Sequence, residues 1–159
     1  MTTSGTAAET AVEIPATPGS RLGDHHTVLA GDHASEWMGI QVESVADGHA
    51  RISMSLRREM LNGFGIAHGG MIFAFADSAF AMACNPAEGS PDSMTVASGV
   101  DIHFLKPGIP GRKLTAVASR RQQAGRSGIY DIQVLQSLPD GGTEVIAEFR
   151  GRSRTIPTR

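Results

Sequence analysis

The chain has 159 residues, a formal net charge of −2 and 40% hydrophobic residues. That length holds one domain with a sizeable core. No apolar run approaches the ~20 residues of a membrane span, and the N-terminus lacks the basic and apolar regions of a secretory signal. The one cysteine, Cys84, has no internal disulfide partner, and a reducing, cytoplasmic setting is expected.

Residues 1–20 are rich in Thr, Ala, Ser, Gly, Glu and Pro, which predicts a mobile tail ahead of a single domain at 21–159. A short helix is expected within 24–38, ended by Gly39. His25, His26 and His33 lie there beside Asp24 and Asp32, but the His25/His33 spacing does not match an i, i+4 ligand pair, so no metal is expected. A strand at 40–46, the Asp47-Gly48 turn and the alternation Ala50, Ile52, Met54, Leu56 predict a hairpin.

Residues 61–85 read LNGFGIAHGGMIFAFADSAFAMACN. A glycine-rich loop enters His68-Gly69-Gly70, and the apolar stretch after it carries one charge, Asp77. A helix with so little polar surface is expected to be covered on all sides. A carboxylate there is costly unless partnered or used, and the first helical N–H groups, near Gly69 and Gly70, lack intrahelical partners. The stretch therefore offers an oxyanion donor together with a base or nucleophile. An ion pair, or a bond to nearby backbone, is the structural alternative for Asp77.

Beyond a loop at 86–91, strands are expected at 95–105, 113–122, 129–137 and 144–155. Leu114/Ala116/Ala118, Tyr130/Ile132/Val134 and Val145/Ala147/Phe149 supply one apolar face each, and PDGG at 139–142 marks a hairpin. The sum is α+β: a mostly antiparallel, curved sheet wrapped around one long central helix. Residues 106–159 carry 10 bases against 4 acids. That asymmetry suits a small phosphorylated ligand better than nucleic acid, since the bases lie along strands with little aromatic interleaving. Solvated arginines are the alternative for any one of them.

Asn62, Gly65, His68, Gly69 and Gly70 in the loop, Asp77 eight residues beyond Gly69, and Phe104-Leu105-Lys106-Pro107 together resemble hotdog-fold acyl-CoA thioesterases, in particular the bacterial phenylacetyl-CoA type. The resemblance spans roughly residues 24–156. It implies that the thioester carbonyl accepts from the Gly69 N–H and that Asp77 activates water or attacks directly. It further implies that Asn62 lies beside them, that His68 orders the loop, and that Ser78 brings a hydroxyl near the reacting centre. Coenzyme A would then use the basic half, with Lys106, Arg112, Arg120, Arg121 and Arg126 as candidates. The implied substrate is an aromatic acyl-CoA, with no metal or other cofactor. Related hydratases and dehydratases pair such an Asp with a His five residues on, where this chain has Met82. An acyl-CoA-binding module without turnover would leave the helix carboxylate unused.

Eight helical residues separate Gly69 from Asp77, about 12 Å along the axis, so one helix cannot bring both to one carbonyl. Two antiparallel copies can. A homodimer with shared sites is expected, and the resemblance adds a second pairing into a tetramer.

Overall fold

The protein is described by a computed structural model over residues 12–13 and 22–158. Among the described residues, seven strands form one antiparallel sheet in the order β1-β2-β3-β5-β6-β7-β4. They are β1 Val12–Glu13, β2 Gln41–Ala46, β3 His49–Ser55, β4 Ser93–Phe104, β5 Lys113–Ala124, β6 Ser127–Ser137 and β7 Thr143–Pro157. Helix α1 is His33–Met38 and helix α2 is Gly69–Cys84. The sheet curves around α2, which packs against β3 to β7, as expected for an α+β chain of this pattern.

Val12 and Glu13 of the expected tail pair with Val45 and Ser44 of β2. The rest of residues 1–20 lies outside the described residues. The helix expected within 24–38 is shorter than anticipated. Two 3-10 turns, Leu22–Asp24 and Thr27–Leu29, precede it, and Gly31, at φ 73, interrupts the chain before Asp32 caps α1. Gly39 ends α1 in the left-handed conformation, at φ 70.

The alternating residues of β3, β5 and β6 meet the helix. Ala50, Ile52, Met54, Leu114, Ala116, Ala118, Tyr130, Ile132 and Val134 are all buried. Phe80 of α2 sits between Tyr130 and Phe149, with ring centroids 5.4 and 6.0 Å away. Its ring reaches β7 because residue 151 is glycine: a β-carbon there would lie 2.7 Å from Phe80 Cζ. Burying such a ring stabilises the fold by about 1.5–3 kcal/mol. The alternation expected along β7 breaks at Ile146. Val134 pairs with Ala147 and Leu135 with Val145, so Ile146 is an extra, buried residue.

The C-terminus of α2 is held by two side chains. Asn85 inserts into β4 like a strand residue, with Nδ2 donating to Thr95 O and Oδ1 accepting from Thr95 N, each at 2.9 Å. His26 is buried, and its Nδ1 accepts from Val28 N at 3.2 Å. The proton is therefore on Nε2, which donates to the carbonyls of Met82 and Asn85 at 3.1 and 3.2 Å. This capping satisfies carbonyls that the helix end leaves open.

Complete cover for α2 is not achieved within one chain. Ile72, Phe75, Ala76, Ala79, Phe80 and Ala83 are buried on the sheet side, at helical spacing. Phe73, Ala74, Asp77, Ala81 and Cys84 are only half-buried. The sheet wraps one side of the helix, and β4 ends the strand order with one edge unpaired among the described residues.

Candidate active site

Loop 61–68 is built by Asn62. Its Oδ1 accepts from Phe64 N at 2.9 Å and Ile66 N at 3.4 Å, and its backbone N–H donates to Ile66 O at 2.8 Å. Gly65 supplies the positive φ, 75, that closes the turn. The acceptor of the Asn62 amide is thus spent on the loop. Its Nδ2 has no acceptor among the described residues, so the part of the side chain left over is a donor.

His68 caps α2. Its Nδ1 accepts from Gly70 N at 2.9 Å, and its carbonyl accepts from Met71 N and Ile72 N at 2.9 and 3.3 Å. Among the described residues the Gly69 N–H has no acceptor. The two adjacent amides are therefore not equivalent: Gly70 is satisfied and Gly69 is open. Asn62 and Gly69 line one cleft of about 540 Å³ with Ile66, Ala67, Ile72, Phe104, Leu105, Lys106, Pro107 and Gly108. Its floor is pinned where Ala67 N donates to Gly108 O at 2.9 Å. A side chain at residue 108 would not fit, because its β-carbon would lie 2.6 Å from that of Ala67.

Asp77 is two turns along α2 and does not line this cleft. It is half-buried, and no described group donates to it. Burial alone pushes its pKa above the ordinary 3.8. Ser78 faces α1. Ser35 Oγ donates to Asp32 at 2.6 Å and stands 3.2 Å from Ser78 Oγ, so the proton in that second bond comes from Ser78. The structure thus brings Asn62, Gly69 and Lys106 together, keeps His68 behind them as the cap, and sets Asp77 and Ser78 apart. Met82 is buried in the core. Burial pushes the Cys84 thiol up to about 12, far from a nucleophile's range.

The five basic candidates fall into two groups. Lys106 and Arg112 meet on Glu144, at 2.6 and 3.5 Å. Arg120 pairs with Asp47 across the β2–β3 turn, and Arg121 pairs with Asp131 at 3.2 Å. Arg126, exposed in the turn between β5 and β6, has no ion-pair partner among the described residues. Lys113 begins β5 and Arg120 lies seven residues on, about 23 Å away along the strand. The Lys106 group and the Arg120–Arg126 group therefore do not form one patch in a single chain. The residue missed from the sequence is Glu144, whose part depends on cross-strand placement that no local pattern signals. Among the described residues no cluster of three or more His, Cys, Asp or Glu could hold a metal, and no helix is long and apolar enough to cross a membrane.

The sequence profile of the thioesterase superfamily matches residues 64–138, which span the loop from Phe64 onward, α2 and strands β4 to β6. The acyl-coenzyme A thioesterase PaaI of Escherichia coli (strain K12) is 38% identical over 131 residues, covering 82% of this chain and 88% of that protein. The chain belongs to the thioesterase superfamily. The solved structure of E. coli PaaI, described as from the phenylacetic acid degradation operon, superposes with a TM-score of 0.72. The TT0310 protein of Thermus thermophilus superposes at 0.68 with 31% identity, covering 77% of this chain and 97% of that one. The α+β hotdog architecture expected from the residues is thus the fold of this thioesterase, and the chain is a thioester hydrolase.

Proposed function

We propose that this thioesterase hydrolyses acyl-CoA, with aromatic, phenylacetyl-type acyl groups as its preferred substrates, and that each active site is shared by two chains. The observation that carries the reading is the open Gly69 N–H in a cleft that lacks a carboxylate base, on the same helix as an unpartnered Asp77. A second copy of α2, antiparallel and packed on the half-buried face, supplies the missing acid to each cleft. That packing also covers Phe73, Ala74, Ala81 and Cys84, and the free edge of β4 extends the contact. Pairing of two such dimers gives a tetramer, and the setting is cytoplasmic. Similarity to E. coli PaaI supports the substrate class.

The chemistry follows from the groups. The thioester carbonyl accepts from Gly69 N–H, and the Asn62 Nδ2 is the nearby second donor. The partner copy of Asp77 takes a proton from water as its oxygen attacks the carbonyl carbon. Negative charge moves to the carbonyl oxygen, where a preorganised donor is worth ~2.7–4 kcal/mol. Collapse of the adduct breaks the C–S bond, and the proton taken up by Asp77 passes to the leaving sulfur, releasing the acid and CoA thiol. A carboxyl whose pKa burial raises is a stronger base than a solvated one. Lys106 at the cleft, with Arg112 beside it on Glu144, and the separate group of Arg120, Arg121 and Arg126 at the far end of β5 are the candidate holders of the coenzyme A phosphates. Thiol release from a panel of aromatic and aliphatic acyl-CoAs tests the reading. Turnover should be fastest with arylacetyl chains, and a panel with no thiol release would refute the assignment.

A further inference from the structure

The Gly69 amide has a neighbour that lies 35 residues away in sequence. At the end of β4 the Ile146 bulge presents a carbonyl that accepts from both Leu105 N and Lys106 N, at 2.8 and 3.2 Å. These two hydrogen bonds to one oxygen fall just after β4 ends at Phe104, in the segment that lines the cleft with Gly69. A β-carbon on Gly69 would lie 3.2 Å from Phe104 Cζ and 3.5 Å from Cε1. The tip of the ring therefore rests against the α-carbon of the residue that carries the open donor. Phe104 is 52% exposed, whereas Phe75 and Phe80 in the core are fully buried. It lines the same cleft as Asn62 and Gly69.

We propose that Phe104 is a positioning residue for thioester hydrolysis: its ring walls the cleft beside the Gly69 N–H, limits access of water to that donor, and leaves the thioester carbonyl as its acceptor. The inference rests on the acyl-CoA reading above. A donor that merely trades a water for a carbonyl gains little, because the exchanged hydrogen bonds nearly balance. A phenyl ring beside it lowers the local dielectric, and the bond to a developing oxyanion strengthens. A side chain at residue 69 would meet the same ring. At 3.2 Å a methyl group would force the ring or the loop to shift by a few tenths of an ångström.

Phe104→Ala, Phe104→Leu, Gly69→Ala and the Phe104→Ala/Gly69→Ala double variant test this in the full-length protein. Phe104→Ala should lower kcat about 10-fold, less than the roughly 100- to 1000-fold of losing a donor outright. KM should move by less than about twofold, and Phe104→Leu, which keeps an apolar wall, should retain most of the turnover. Affinity for a CoA-linked trifluoromethyl ketone, whose hydrate mimics the tetrahedral adduct, should fall alongside kcat while free CoA binds as it does to wild type. A purely structural role would weaken both ligands together. Gly69→Ala should impair the wild-type background yet cost little once residue 104 is alanine, since the added methyl no longer meets a ring. Unchanged kcat and analogue affinity in Phe104→Ala, or full additivity in the double variant, would overturn the proposal. Thiol release by wild type reports separately on the acyl-CoA reading. If it is absent the acyl-CoA reading fails and the proposal falls with it, whereas wild-type thiol release with unchanged kcat and analogue affinity in Phe104→Ala overturns the proposal alone.

Discussion

His68 accepts a hydrogen bond from Gly70 N at 2.9 Å and so selects which amide at the start of α2 stays open. With Gly70 satisfied, the donor left in the cleft is Gly69. Replacing His68 by Ala frees a second N–H beside the first and removes a cap, which costs about 1 kcal/mol of stability. Turnover should fall, because the loop loses its anchor. His68→Asn, which caps well, should recover the stability in thermal melts. Equal melting points for the two variants would contradict the capping role.

As the proposed base, Asp77 should link activity and stability in opposite directions. Burial raises its pKa, so the folded state favours the neutral carboxyl, and that preference is fully present below the ordinary 3.8 and lost as pH rises through the raised value. At neutral pH the charged carboxylate is therefore a burden on the fold. Asp77→Asn should raise the melting temperature at pH 7 while lowering kcat at least ~100-fold. The acid limb of kcat/KM should lie above 3.8, since the base works only when deprotonated. A folded Asp77→Asn enzyme with near-normal turnover would sink the mechanism.

His26 makes stability fall with acid. Burial lowers its pKa from the ordinary 6.5 by desolvating the charged ring, and the bond from Val28 N needs Nδ1 unprotonated. Its contribution is present above pH 6.5 and is lost as pH falls through the depressed folded value. His26→Ala leaves two helix-end carbonyls without their donor and should destabilise by about 1–3 kcal/mol. Chemical denaturation from pH 5 to 8 measures this. The variant should show a flatter pH dependence, and an unchanged slope would contradict the assignment.

Arg126 is the exposed candidate for coenzyme A that pairs with no described carboxylate, whereas Arg120 and Arg121 are engaged by Asp47 and Asp131. Arg126→Ala should weaken inhibition by free CoA about 2- to 5-fold and reduce its salt dependence. Arg120→Ala should do less to CoA and more to the β2–β3 turn. Identical CoA inhibition by wild type and Arg126→Ala across a salt series would move the phosphate site elsewhere.

Much of this was legible in the residues. Period-two alternation in β3, β5 and β6 and the unbroken apolar run of α2 are local patterns, and they determined which faces meet. The loop's glycines and His68-Gly69-Gly70 marked the donor end of the site. What stayed hidden depends on contacts between distant segments. The bulge at Ile146 reads as ordinary strand, and no local pattern sets Phe104 against Gly69. Glu144 looks like any surface acid until strand pairing sets it beside Lys106 and Arg112. Asn62 could serve as donor or acceptor from its chemistry alone, and only the closed loop shows its oxygen already used. The unbroken run implies burial of α2 without saying which part of the cover one chain provides, and the half-buried face lies where a second subunit is expected.

The shared site is tested most directly by mixing two inactive chains. Gly69→Pro removes the donor N–H and Asp77→Asn removes the acid, so each homodimer should be nearly inactive. A heterodimer would hold one site with both defects and one site with neither. Refolded mixtures should therefore regain thiol release, up to about half the wild-type rate per heterodimer. Heterodimers that form, shown by native mass spectrometry, yet hydrolyse no faster than their parents would mean that Gly69 and Asp77 do not meet across two chains.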